Sequence, residues 1–159
     1  MKANAFDNVR DQIGFCGIWC GSCVLGNGAL KELTKQYAEI VEKYGLGEWA
    51  PGDFDYDKFK KELASIQESS FCSGCLKGGG RTDCEMRNCA SNKKIADCCR
   101  CDEFLACKNS EPLQKMREGA RDANLIVKDK NVDRQEFIEK GTSELKKKFP
   151  SCILICDKH

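Results

Sequence analysis

Between Cys72 and Cys107 the chain carries eight cysteines: Cys72, Cys75, Cys84, Cys89, Cys98, Cys99, Cys101 and Cys107. Two close pairs stand out, Cys72-Ser-Gly-Cys75 and Cys98-Cys-Arg-Cys101. A two-residue gap lets one turn aim two thiolates at one soft cation without strain. Upstream, Cys16-Gly-Ile-Trp-Cys20-Gly-Ser-Cys23 brings three more soft donors together. On a helix these three share one face; in a glycine-broken turn, Gly17 and Gly21 let backbone amides approach the sulfurs. The chemistry implied is thiolate–metal coordination. Zinc suits closed sites of four thiolates, and iron–sulfur clusters accept the same donors.

The candidate ligands are Cys16, Cys20, Cys23, Cys72, Cys75, Cys84, Cys89, Cys98, Cys101 and Cys107. At least one site of four cysteines is expected. Either the two close pairs share one ion, with residues 76–97 as the intervening loop, or Cys72 and Cys75 join Cys84 and Cys89. Cys16, Cys20 and Cys23 need a fourth partner, which Cys107 or a tail cysteine could supply. Cys99, between two ligands, is expected to point away, so that its replacement alters neither metal content nor stability. In the tail, Cys152, Cys156 and the single His159 are spaced as ligands, but Cys152-Ile-Leu-Ile-Cys156 reads better as an apolar plug with inert thiols.

Other chemistry is poorly served. The spacing of Cys16, Cys20 and Cys23 is that of radical enzymes using S-adenosylmethionine, but few strand-like runs exist to build the partial barrel they need. The single histidine is terminal, so no Cys–His catalytic pair stands in a folded region. No nucleophile elbow or dinucleotide fingerprint is present. Gly78-Gly79-Gly80 is followed by no Gly-Lys-Ser/Thr and is no phosphate loop. Asp53, Asp55 and Asp57 lack the glycine and glutamate of a calcium loop. Catalytic residues are therefore not assigned, and an enzyme is the less favoured reading.

The elements that must position the cysteines are helical. Leu30, Leu33, Tyr37, Ile40, Val41 and Tyr44 make an apolar stripe over 29–44, expected to pack in the core. Tyr56, Phe59, Leu63 and Ile66 line a helix over 56–68, entered through Asp55 or Asp57. Residues 83–94 suit a short helix carrying Cys84 and Cys89. The stripe of Leu113, Met116, Ala120, Ala123 and Val127 predicts a helix over 111–128, broken at Asp129-Lys-Asn. A last helix spans 133–149, with Phe137, Ile138, Gly141, Leu145 and Phe149 on one side, and ends before Pro150. The fold class is mostly α: a helical body with an irregular cysteine-rich metal-binding lobe. One domain over 1–159 is expected, its lobe at about 72–107 packed with the 14–28 motif.

With 159 residues the chain can bury a core without cross-links. Its net charge of +1 creates no global field for nucleic acid. Seven basic residues between Cys72 and Lys108 (Lys77, Arg81, Arg87, Lys93, Lys94, Arg100 and Lys108) are matched by Asp83, Glu85, Asp97, Asp102 and Glu103, without aromatics suited to stacking bases. Cations beside a negative zinc–thiolate centre explain them. The N-terminus has no apolar signal region and no run reaches membrane-span length, so the expected compartment is the cytoplasm, where thiols stay reduced. Thirteen cysteines there mean metal or redox chemistry before disulfides.

The cysteine pattern resembles a family of small cysteine-rich bacterial and archaeal proteins, domain-of-unknown-function family 3795. The resembling elements are Cys16-Gly-Ile-Trp-Cys20-Gly-Ser-Cys23, Cys72-Ser-Gly-Cys75, Cys84-Glu-Met-Arg-Asn-Cys89-Ala, and Cys98-Cys-Arg-Cys101-Asp-Glu-Phe with Cys107. They cover roughly residues 14–107. The family usually ends on Phe-Pro-Cys; here Phe104-Leu-Ala-Cys107 is one residue longer. The resemblance implies architecture and metal binding, and no activity. The favoured function is a structural zinc protein serving binding or scaffolding. The alternatives are an iron–sulfur or thiol redox protein and, after that, a zinc-dependent nucleic-acid module. No partner is named by the sequence; a protein is compatible, a membrane is not, and nucleic acid is disfavoured.

Overall fold

The computed structural model describes residues 9–70, 72–129 and 131–148, apart from the side chains of Lys146 and Lys148. Expectations for Phe149, Pro150, Cys152, Cys156 and His159 lie outside these residues. Six α-helices occur among the described residues: α1 (Ala29–Lys43), α2 (Leu46–Trp49), α3 (Tyr56–Glu68), α4 (Glu85–Asn92), α5 (Ser110–Asp122) and α6 (Arg134–Lys148). Extended pairing among these residues is confined to two isolated antiparallel bridges, Ile13 with Trp19 and Ile18 with Val127. The main class is helical. None of the described helices is long and apolar enough to cross a membrane.

Capping chemistry sets several ends. The Asp55 carboxylate accepts the Lys58 amide at 2.9 Å and starts α3. Asp133 accepts the amides of Gln135 and Glu136 at 2.8 and 3.1 Å ahead of α6, and these bonds hold its carboxyl below the usual range. α5 ends earlier than its stripe predicts. Asn124 takes a left-handed conformation, φ 60°, and the Leu125 amide returns to the Ala120 carbonyl at 2.8 Å. Asparagine tolerates that conformation where most residues do not, so it stops the helix before Asp129. The chain then runs extended, and Val127 is buried through its bridge to Ile18.

The core forms around Trp19, which is 0% exposed, with Ile13, Ala29, Phe137, Ile138 and Leu145. Its indole N–H donates to the Arg10 carbonyl at 2.6 Å, satisfying the one polar atom of the ring. α6 supplies three of these core residues. α1 packs instead on α3, where Tyr37 meets Phe59 edge-on with ring centroids 5.7 Å apart. The expected core role of the α1 stripe is corrected. Val41 is buried, but Leu30, Leu33, Tyr37, Ile40 and Tyr44 are exposed, because α3 covers only one side of α1.

Candidate functional site

The first cysteine motif is a tight loop rather than a helix. The Gly17 amide bonds the Gly14 carbonyl and the Gly14 amide bonds the Ile18 carbonyl, both at 2.8 Å. Gly17 has φ 86°, which its lack of a Cβ permits. A 3-10 turn follows at Cys20–Ser22. Segment 126–128 clamps this loop from behind: Trp19 donates to the Ile126 carbonyl, Lys128 donates to the Gly17 carbonyl, and Ser22 Oγ accepts the Ile126 amide.

The second motif is a knuckle. Gly74 (φ 80°) and Gly78 (φ 82°) flank the 3-10 turn Cys75–Lys77, and the amides of Lys77 and Gly79 both return to the Gly74 carbonyl. Gln12 Nε2 donates to the Ser73 carbonyl at 3.0 Å and ties the knuckle to the first loop. Arg87 of α4 holds it from the other side through the Gly79 carbonyl.

These two motifs bring Cys16, Cys20, Cys72 and Cys75 into one neighbourhood. A Cβ on Gly14 would lie 3.4 Å from Cys16 Sγ and 3.6 Å from Cys75 Sγ; one on Gly79 would lie 3.0 Å from Cys72 Sγ. Glycines thus line the sulfurs closely. The Ile18 amide points at the Cys16 sulfur and the Cys75 amide at the Cys20 sulfur. Burial pushes the Cys16 thiol up to about 11 and the Cys20 thiol up to about 12, against those amides and with the neighbouring thiols adding to the rise. Cys84, which caps α4, is close enough to Cys16 to contribute.

A second set forms beside it. Cys89, Cys98, Cys101 and Cys107 line one cavity of about 20 Å³ with Ala90, Ile95 and Leu113. That volume admits one small guest. The Asn109 amide lies 3.4 Å from Cys107 Sγ, and Lys93 Nζ lies 3.9 Å from Cys101 Sγ while pairing with Glu103 at 2.7 Å. Burial pushes Cys98 up to about 12, reinforced first by Cys16 of the neighbouring set and then by Cys99, Cys107 and Cys89. The Cys98 amide is anchored on the Phe15 carbonyl at 2.7 Å.

The thiols gather by neighbourhood across the chain as well as within each turn. The Cys72–Cys75 knuckle joins Cys16 and Cys20, while the Cys98–Cys101 turn joins Cys89 and Cys107. Cys84, at the extended N-cap position of α4, lies near Cys16, whereas Cys89 within the helix lines the second cavity. Cys23 ends the 3-10 turn: its amide donates to the Cys20 carbonyl at 3.1 Å, and its own carbonyl accepts the amides of Gly26 and Asn27. All eleven described cysteines are free thiols. As placed, no three Cys, Asp, Glu or His side chains among the described residues form a group that could hold a metal ion.

Cys99 points away from both sets, and it is not idle. Its thiol donates to the Lys128 carbonyl at 3.3 Å and accepts from Arg117 Nη1 at 3.4 Å, with 1% exposure. Arg117 also donates to the Lys128 carbonyl at 2.6 Å. Burial raises the Cys99 thiol and the Arg117 charge opposes that. Below it, Lys128 and Asp97 form a buried ion pair at 3.6 Å. Cys99 points away as the spacing suggests, and its sulfur is held in a buried polar contact. Sequence reasoning also missed Arg117 and Lys128, whose only trace was a charged residue in an apolar register.

These features define a small helical protein organised around two gatherings of thiols. Residues 12–112, well over half of the chain, match the family described as "Protein of unknown function (DUF3795)", and the chain belongs to that family. The match takes in both thiol sets and stops before α6. No curated protein and no solved structure matches the chain.

Proposed function

We propose that this protein is a structural metal protein of the cytoplasm that binds two zinc ions through cysteine and serves as a binding or scaffolding module. The observation that carries the reading is the partition of the thiols. Cys16 and Cys20 meet Cys72 and Cys75 across some fifty residues of chain, and Cys89, Cys98, Cys101 and Cys107 share one cavity. Each gathering offers at least four sulfurs, the donor type and number of a closed zinc site, with Cys84 also close to the first. The glycine lining at Gly14 and Gly79 and the amides aimed at Cys16 and Cys20 suit thiolates, whose charge needs donors and close backbone. Zinc bound at such a site cross-links the segments and stabilises the fold. A reducing compartment keeps the thiols available.

The test is elemental analysis with a visible spectrum on protein purified without oxygen. Two zinc ions per chain and no colour are expected. Brown protein with iron and sulfide would replace this reading by the iron–sulfur one, and protein without metal that cannot be loaded would end both.

A further inference from the structure

The guanidinium of Arg87 stands beside the first thiol set with a donor to spare. Arg87 lies in α4, between Cys84 and Cys89. Its Nη2 donates to the Gly79 carbonyl of the knuckle. A Cβ on Gly80 would lie 3.5 Å from that same Nη2 and 3.5 Å from Cys75 Sγ, so the guanidinium and the Cys75 sulfur flank a single point of the loop. The Nε–H of Arg87 is buried and has no hydrogen-bond partner among the described residues. A buried donor on a charged group is costly to leave in that state, and folded proteins rarely keep one without a use. The nearest cations in sequence are already engaged: Arg81 pairs with Asp83 at 2.9 Å and Lys93 with Glu103 at 2.7 Å. Arg87 pairs with no carboxylate among the described residues.

We infer that Arg87 is a positioning residue of the first metal site, compensating its charge and donating Nε–H to a thiolate of the loaded site without touching the ion. The inference rests on the zinc reading above. Four thiolates around one zinc ion leave a doubly negative centre, which calls for hydrogen-bond donors and a cation close by. The amides of Ile18 and Cys75 are aimed at Cys16 and Cys20. Arg87 brings a cation to the Cys75 side of the same set. A guanidinium suits the place: it stays charged when buried, and its fork keeps Gly79 on Nη2 while Nε–H remains for a sulfur. The second set carries a parallel arrangement, with Lys93 Nζ 3.9 Å from Cys101 Sγ. Lys93 is the C-cap of α4, so this one short helix presents Arg87 to the first set and Lys93 to the second.

The test is a zinc competition titration of the full chain against a coloured chelator, without oxygen, on wild type, Arg87→Gln and Arg87→Lys. Glutamine keeps a donor for the Gly79 carbonyl and removes the charge; lysine keeps a donor and the charge. Arg87→Gln should weaken one ion by about ten- to hundredfold and leave the other unchanged, and Arg87→Lys should hold that ion within about threefold of wild type. In the Cys75→Ser background, where only the second-set ion remains, Arg87→Gln should change nothing. Cobalt in place of zinc adds a signature that a purely structural role would not move. The thiolate-to-cobalt charge-transfer band of the first site should fall in energy in Arg87→Gln, because a sulfur without its donor gives up charge more readily. If Arg87→Gln does not fold, NMR of the wild type decides instead: the Arg87 Nε–H proton should show scalar coupling to cadmium bound in place of zinc, and no coupling overturns the inference. Equal losses in Arg87→Gln and Arg87→Lys overturn it by assigning Arg87 to the tether on Gly79 alone. Unchanged affinity in Arg87→Gln, or equal loss at both ions, overturns it while leaving the zinc reading intact. A wild type that takes up no metal ends the zinc reading and this inference together, and the first titration separates that result from the others.

Discussion

Gly141 of α6 lies flat against the indole of Trp19. A Cβ on Gly141 would sit 3.2 Å from both Cε3 and Cζ3 of the ring, and the ring cannot retreat, because Gly21 backs it so closely that its own Cβ would stand 2.5 Å away. Gly141→Ala should therefore destabilise by about 1–3 kcal/mol through overpacking, in spite of alanine's better helix propensity. Gly119→Ala in α5 meets nothing within 4 Å and should stabilise by about 0.5–1 kcal/mol. Urea unfolding of the two variants should give shifts of opposite sign; equal signs would contradict the close packing of Gly141 on Trp19.

Lys128 and Asp97 should be strongly coupled. The two are 2% and 6% exposed in their side chains, and removing one leaves the other buried and uncompensated. Lys128→Met is expected to cost about 3–5 kcal/mol. Adding Asp97→Leu should recover only part of this, because Asp97 also accepts the Cys99 amide at 2.9 Å. A double-mutant cycle by chemical denaturation measures the coupling; additivity would refute it.

If the two thiol sets bind independently, single substitutions should remove one ion each. Cys75→Ser and Cys89→Ser are expected to lower zinc content from two to one per chain, by loss from different sets, and the double variant should hold none. Cys99→Ser should keep both ions yet lose about 1 kcal/mol of stability, since the shorter hydroxyl fits the gap between Arg117 and the Lys128 carbonyl less well. Elemental analysis and thermal melts separate these outcomes. Full zinc content in Cys75→Ser would remove Cys75 from the ligand set.

The metal-free protein should weaken in alkali. Cys16, Cys20 and Cys98 titrate near 11, 12 and 12 in the fold, chiefly through burial, against about 8.5 when unfolded. A raised folded value means the neutral thiol is favoured in the native state. That contribution is complete below about pH 8.5 and is lost as pH rises towards 11–12. Zinc binding reverses the dependence by requiring thiolate, with proton release on loading and tighter binding as pH rises. Melting curves of the two forms from pH 7 to 10 should diverge. Parallel curves would mean that these thiols are not the ligands.

The sequence made local features legible and hid the distant ones. The start of α3 at Asp55 and the turns at Cys72–Cys75 and Cys98–Cys101 follow from chemistry within a few residues. The meeting of Cys20 with Cys75 depends on topology, because spacing describes chelation within a turn and says nothing about which turns meet. The α5 boundary was missed because Val127 falls in helical register while Asn124, three residues earlier, has already ended the helix. The α1 stripe shows what a periodic pattern establishes: an apolar face, without the identity of the surface that covers it.

The burial of Trp19 has an optical consequence. The chain has two tryptophans, one at 0% exposure in the core and the other, Trp49 in α2, at 69%. Their emission should separate into a blue component inaccessible to iodide and a red component open to it. Each half of the molecule thus carries its own intrinsic fluorophore, and unfolding of the Trp19 region can be followed apart from events on the α1–α3 hairpin without attaching a label to a chain crowded with thiols.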